Sequence, residues 1–378
     1  MKKFLSATVV TFAIFSLAVS TCFGAENRPG RDVAIEMRED GSASLSNGLI
    51  GIHVASQHGP RNGIRKWLFK PTGYEMVDVL YGQTDYVEGH MLGEKWDPAA
   101  KSGYPKGKAD VGRLYVSSSV RVSDDGAVAR LTQVAEKTYR LTRETILRRD
   151  LTTVEVRYRL TNLESKPTGF ALRLHSAQSP GARGKHQSKN EIVFMQSEEG
   201  LLEWRQNLNS DVFHDRYGND KCFLPVWSEE PRRSWVWGDL GTPPLADNYV
   251  AQVNQGNGDG MAFMVNRESL VGYYNCPGIT IEPVLRAIAP RPGQSWQATV
   301  HVASFTGANG KDIVDATPLY VATRPLNLQK GTLTGEVIPT FSGTLRIEDG
   351  TGKERLTREA TPTSPVGIET KVGGGQWR

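Results

Sequence analysis

From about residue 30 onward, apolar and polar residues alternate in short segments. In "TTVEVRYRLTNL", Val154, Val156, Tyr158 and Leu160 fall on one side, while Glu155, Arg157 and Arg159 fall on the other. That period of two is the mark of a strand with one packed face and one wet or functional face. The same alternation runs through "ASLSNGLIGIHVAS", "RLYVSSSVRVS", "VARLTQVA", "TYRLTRETILRR" and "TGFALRLHS". Gly, Asn, Asp and Pro punctuate these runs, and a helical period is not sustained over twelve or more residues. The pattern predicts an all-β protein, a large antiparallel β-sandwich.

Polar, glycine-bearing links such as "SDDGAV" and "NQGNGDGMAF" fit turns between successive strands. The last strand-like run of the main body, "SWQATVHVASFTG", ends near residue 307, and "LQKGTLTGEV" and "SGTLRIEDGTGKERL" then resemble a separate hairpin unit. The expected division is a sandwich over 26–307 and a small C-terminal β appendage over 308–378. The Pro-, Gly-, Ser- and Thr-rich end "TPTSPVGIETKVGGGQWR" is expected to be a flexible tail. At the other end, Lys2 and Lys3 precede an apolar run from about Phe4 to Ala18 and then small residues. This is the pattern of a signal peptide over 1–25, cleaved near Gly24 or Ala25, and too short an apolar run for a membrane anchor. It predicts export to the periplasm or beyond, with lipid attachment at Cys22 as the minor alternative.

Charge and cysteine content narrow the function classes. Forty-five basic against 41 acidic side chains give +4, and removing Lys2 and Lys3 leaves +2. So small an excess does not indicate a nucleic-acid partner. Cys222 and Cys276 would remain in an exported chain, either paired or as two separate buried thiols. Neither a CxxC pair, an HExxH helix nor a P-loop is present, so zinc-protease and nucleotide readings lose their support and no cofactor or metal site is assigned, while scattered Asp and Glu without a dense acidic loop leave calcium undetermined. The oligomeric state has no signature in the sequence.

Candidate chemistry lies in aromatic, histidine-bearing and acidic stretches. Trp204, Trp227, Trp235 and Trp237 cluster in sequence; such rings stack on sugars but more often pack in cores. His90 stands in "VEGHMLGEKWDP" with Glu94, Trp96 and Asp97 close behind, a glycine-flanked loop suited to hydroxyl recognition or simply solvated. In "GFALRLHS", Arg173 and His175 share a strand face opposite Leu172 and Leu174; they offer an anchoring cation and a proton donor, or only an exposed polar face. In "GITIEPVLRAIAPRPGQSW", Glu282 alternates with Ile279 and Ile281 and so turns away from the core those residues pack. It suits a general base, or a salt bridge with Arg286. Pro283 beside it suggests an edge, bulge or bend.

The order of these features resembles the galactose mutarotase-like supersandwich family over about residues 30–307. The opening "LSNGLIGIHVASQHGPRNGIRKWLFKPTGYEMVD", the central "VEVRYRLTNLESKPTGFALRLHS" and the closing "ITIEPVLRAIAPRPGQSWQATVHVASF" carry the resemblance. It implies an aldose 1-epimerase-like activity in which Glu282 takes the anomeric hydroxyl proton and His175 protonates the ring oxygen. His90 is the looser match to the family's substrate-binding histidine; Arg173, Glu94, Trp96 and Trp237, read from the stretches above rather than from the resemblance, are candidate further contacts to a mono-, oligo- or polysaccharide. The chain departs from the family where "HSAQSP" follows His175 in place of "HPYFNL", and where an acidic-Ala-Asn run after Glu282 is missing. A non-catalytic carbohydrate-binding or accessory domain of a polysaccharide-degrading system is the alternative. A polysaccharide lyase using His214, Arg216 and Tyr217 of "HDRYGNDK" is the third choice.

Overall fold

The computed structural model describes residues 32–55, 63–77, 83–93, 109–111, 115–178, 180, 191–205, 225–229, 243–276, 280–286, 288–349 and 351–372. Among the described residues every regular element is a strand. The first twelve are β1 (Ala34–Met37), β2 (Ala43–Ser46), β3 (Ile50–Val54), β4 (Ile64–Phe69), β5 (Tyr74–Glu75), β6 (Gln83–Gly93), β7 (Ala109–Val111), β8 (Tyr115–Val122), β9 (Val128–Glu136), β10 (Tyr139–Arg148), β11 (Thr153–Asn162) and β12 (Gly169–Ala177). There follow β13 (Glu191–Ser197), β14 (Gly200–Arg205), β15 (Tyr249–Asn254), β16 (Gly260–Val265), β17 (Leu270–Cys276), β18 (Thr280–Leu285) and β19 (Ser295–Phe305). The last six are β20 (Asp315–Thr317), β21 (Tyr320–Gln329), β22 (Thr332–Pro339), β23 (Gly343–Glu348), β24 (Glu354–Ala360) and β25 (Val366–Lys371).

Two large antiparallel sheets form the sandwich. One runs β1-β2-β3-β4-β6-β12-β18-β17, with β5 added on β4 and β7 on β6; the other runs β14-β13-β15-β16-β19-β11-β10-β9-β8. The alternation read from "TTVEVRYRLTNL" is realised in β11, where Val154, Val156, Tyr158 and Leu160 are buried in the main core and Arg157 and Arg159 are exposed. That core also takes Leu131, Leu141 and Val300 from the second sheet and Trp67, Phe170, Leu174, Ile281 and Leu285 from the first. Tyr139 and Phe170 meet across it edge to face, with ring centroids 5.7 Å apart. Several polar groups inside the sandwich carry partners. Trp67 donates its indole N–H to Ser304 Oγ at 3.0 Å, and Arg143 donates to Gln133 Oε1 at 2.9 Å while Gln133 Nε2 donates to the carbonyl of Ala55. Trp204 and Trp227 are core residues, each 2% exposed.

The outer face of the second sheet is divided. On β13, β15, β16 and the end of β19 it is apolar, and Phe194, Tyr249, Val253 and Phe305 pack there against Ala308, Ile313, Val321 and Ile338. These last residues lead into β20-β21-β22-β25 and the hairpin β23-β24, which enclose a third core of Phe341, Leu345, Ile347, Leu356 and Ile368. The turn between β10 and β11 is tied to this unit, since Thr152 N donates to the carbonyl of Thr340 at 2.8 Å and Ser342 N to that of Asp150 at 3.0 Å. The C-terminal stretch expected to be mobile forms β25 over 366–371, paired with β22. Ile368 and Val372, 4% and 1% exposed, anchor it, and composition had hidden their apolar spacing. Residues 1–31, with the expected signal peptide and Cys22, lie outside the described residues, as does Cys222 of the cysteine pair. Among the described residues no helix is long and apolar enough to cross a membrane.

Candidate functional site

The pairing of β12 with its two neighbours decides which side chains share a face. Residues directly opposed across an antiparallel pair lie on the same face, with Cα atoms about 4.5–5.5 Å apart. Between β12 and β18, Arg173 pairs with Val284 and Ser176 with Ile281, a register that sets His175 against Glu282. Between β12 and β6, His175 pairs with Tyr86, Arg173 with Glu88 and Ala171 with His90. Between β18 and β17, Glu282 pairs with Tyr274. One row across four strands therefore reads Tyr86, His175, Glu282, Tyr274, and the next reads Glu88, Arg173, Val284. Three strand spacings of about 4.8 Å make such a row about 14 Å wide.

These positions lie on the side of the sheet turned away from the sandwich core. Phe170 and Leu174 of β12 and Ile281 and Leu285 of β18 belong to the main core; the positions alternating with them carry Arg173, His175, Glu282 and Val284. Glu282 is 3% exposed, Val284 is fully buried and Tyr274 is 5% exposed, and neither Val284 nor Tyr274 belongs to that apolar core. A carboxylate at that position is withdrawn from bulk water, a placement compatible with a group that handles protons. Arg286, considered as a salt-bridge partner, donates from Nε to the carbonyl of Glu268 at 3.1 Å.

Local irregularities frame the row. The β12–β6 register shifts between His175 and Ala177, so His175 is the last position before that irregularity in the β12–β6 ladder. Pro283 was expected to mark an edge, bulge or bend. It stands in a strand with partners on both sides, and the shift falls instead on β17 between Leu270 and Gly272. There the segment around Val226 bridges to Gly272, Tyr273 N donates to the carbonyl of Pro225 at 3.2 Å, and Trp227 Nε1 donates to that of Leu270 at 3.1 Å. The Arg267 guanidinium lies 4.3 Å from the Trp227 ring centroid.

The sequence-predicted residues thus divide into two groups. Glu282, His175, Arg173 and His90 come together on β18, β12 and β6. Glu94, Trp96 and Trp237 lie outside the described residues, as do His214, Arg216 and Tyr217. The stretch around His90 was expected to be a loop and is strand: β6 runs for 11 residues through Gly89 and Gly93, because its two flanking ladders outweigh the low strand preference of glycine. Sequence reading missed Tyr86, Glu88 and Tyr274. The period-two spacing of Tyr86, Glu88 and His90 in "DYVEGHM" carried the signal for the first two; for Tyr274 the shift at Gly272 hides it.

Comparison with known proteins returned no matching family model and no matching curated protein. Solved structures do match. A galactose mutarotase-like protein from Lactobacillus casei is 16% identical, covering 70% of this chain and 100% of its own, with a TM-score of 0.44. A galactose mutarotase-like protein from Clostridium acetobutylicum is 10% identical, covering 73% and 99%, with a TM-score of 0.46. A TPR-domain containing protein from Parabacteroides distasonis is 10% identical over 70% of this chain, with a TM-score of 0.46, and this chain spans 46% of that structure. Galactose mutarotase-like proteins are among the structural neighbours of this chain, as the sequence resemblance led us to expect.

Proposed function

We propose that this is a carbohydrate-active protein whose site is the face of β6, β12 and β18 that carries Glu282 and His175, working as an aldose 1-epimerase-like proton-transfer enzyme. The observation that carries the reading is the β12–β18 register, which sets an acid–base pair of positions on adjacent strands around a carboxylate only 3% exposed. In the proposed reaction Glu282 takes the proton of the anomeric hydroxyl. The bond from C1 to the ring oxygen breaks, its electron pair goes to that oxygen, and His175 supplies the proton the oxygen then holds. The open aldehyde turns about its C1–C2 bond and recloses with the two proton transfers reversed. Arg173 and His90, one and two rungs along the neighbouring strands, would hold hydroxyls. Export, read from the N-terminal segment, belongs to the same proposal.

Polarimetry of several aldoses tests it, comparing wild type with Glu282→Gln. Loss of the general base is expected to lower the enzymatic rate by about 10²–10⁴-fold. Equal rates in the two proteins would remove Glu282 from the mechanism. The departures after His175 and after Glu282 favour one second reading, a non-catalytic sugar binder that kept the strands. It takes over if wild type does not exceed the spontaneous rate while still binding glycans.

A further inference from the structure

The uncovered half of the second sheet's outer face carries a charge pattern that the epimerase-like site does not use. Residues alternating with the core positions of β8, β9, β10 and β11 point outward there, and they include Arg121, Arg130, Arg140, Arg148, Arg157 and Arg159. Glu136, Glu144 and Glu155 stand among them, so six guanidinium groups face three carboxylates. Arg130 pairs with Glu144 at 2.9 Å, Arg140 with Glu136 at 2.7 Å, and Arg148 and Arg157 both reach Glu155. Arg121 and Arg159 have no ion pair among the described residues; Arg159 Nε donates to Ser295 Oγ at 3.3 Å.

Two features go beyond a solvated sheet surface. Arg121 lies directly opposite Arg130 in the β8–β9 ladder, and of the two only Arg130 has a carboxylate, Glu144, beside it among the described residues, so an outside anion would relieve the like-charge contact at Arg121. Several positions beside the arginines are hydroxyl-bearing: Thr142 pairs with Arg159, Thr299 with Arg157, and Ser119 with Thr132 in the adjoining ladder, while Ile146 opposite Arg130 is apolar and buried. Exposed cations interleaved with small donors and acceptors on one sheet face match an extended chain that carries both anionic groups and hydroxyls.

We infer that the outer face of β8–β11 is a binding surface for an acidic polysaccharide, through carboxylate or sulfate groups seated on Arg121 and Arg159. Charge complementarity selects an anionic partner. The choice of a glycan over nucleic acid rests on the carbohydrate-directed reading above and on the overall charge of only +4. The face belongs to the other sheet, so a failed polarimetry experiment leaves it standing.

Isothermal titration of the full chain with polygalacturonate, chondroitin sulfate, dextran and duplex DNA tests the inference. At least one of the two acidic glycans is expected to bind, more weakly as salt is raised, and dextran is not. Replacing both unpaired cations, R121Q/R159Q, is expected to weaken that binding roughly tenfold, while R121K/R159K, which keeps the charge, retains most of it. Both positions are exposed, so the melting temperature is expected to stay within about 2 °C of wild type. Which acidic glycan binds distinguishes carboxylate from sulfate recognition. Absence of binding to both, equal affinity in R121Q/R159Q, or DNA binding as tight as the better glycan would overturn the inference.

Discussion

Asn47 shows how much one side chain can fix. It is 3% exposed; its amide donates to the carbonyls of Arg148 and Leu151, each at 2.7 Å, and its Oδ1 accepts from the N–H groups of Leu49 and Ile50, each at 2.8 Å. It shapes the β2–β3 turn of one sheet and at the same time holds the β10–β11 turn of the other. Asn47→Ala leaves two part-buried carbonyls and two amides short of partners, and a loss of about 1–3 kcal/mol is expected in urea denaturation. From the sequence, Asn47 was visible as half of an Asn-Gly turn, but its two long-range partners, about a hundred residues away, were not. Glu282 is the converse. Its facing could be read from alternation with two isoleucines, and its lateral neighbours Tyr274 and His175 required the register.

Among the elements, strands with clean alternation were legible almost to their ends, as in β9 to β12. The exceptions have local causes. Glycines made β6 look like a loop, and a compositional signal hid β25. The β17–Val226 contact was illegible because it depends on what a glycine lacks. A Cβ on Gly272 would stand 2.3 Å from the carbonyl oxygen of Pro225 and 2.8 Å from Val226 Cγ1. The first of these is backbone, which cannot swing aside as a side chain can. Gly272→Ala is therefore expected to cost about 3 kcal/mol in chemical denaturation and to loosen the segment that carries Trp227. A measured change below about 0.5 kcal/mol would show that this segment gives way freely.

For the whole molecule, the joint between the sandwich and the C-terminal unit is sensitive to pH. Asp315 of β20 has its pKa raised to about 6, first by desolvation and then by the negative charge of Asp247, against the Tyr320 hydroxyl that donates to it at 3.1 Å. Asp247 is itself shifted upward by desolvation. The folded state holds the Asp315 proton more tightly than the unfolded chain does. Its contribution is thus fully present below the ordinary carboxyl range and is lost as pH rises through about 6. Asp315→Asn removes that loss and keeps an acceptor for Tyr320. Its melting temperature relative to wild type is expected to be higher at about pH 7.5 than at about pH 4.5, and an equal difference at both would remove Asp315 as the source. The all-β class could be read from periodicity because alternation is local; the order of strands in the sheets could not, because pairing is not.

The central place of β19 has a consequence for how this chain can assemble. β11, complete by residue 162, has β10 on one side, and its other partner is β19, whose first residue is Ser295. Until that distant segment arrives, β11 presents a long open edge of unsatisfied N–H and C=O groups, and β16 lacks the same neighbour. Synthesis order and sheet order are therefore uncoupled: the second sheet closes at its middle, late, by joining two halves made earlier. Contacts of such high sequence separation make for slow, cooperative folding. Any fragment ending before β19 carries two sticky half-sheets rather than a smaller version of the fold.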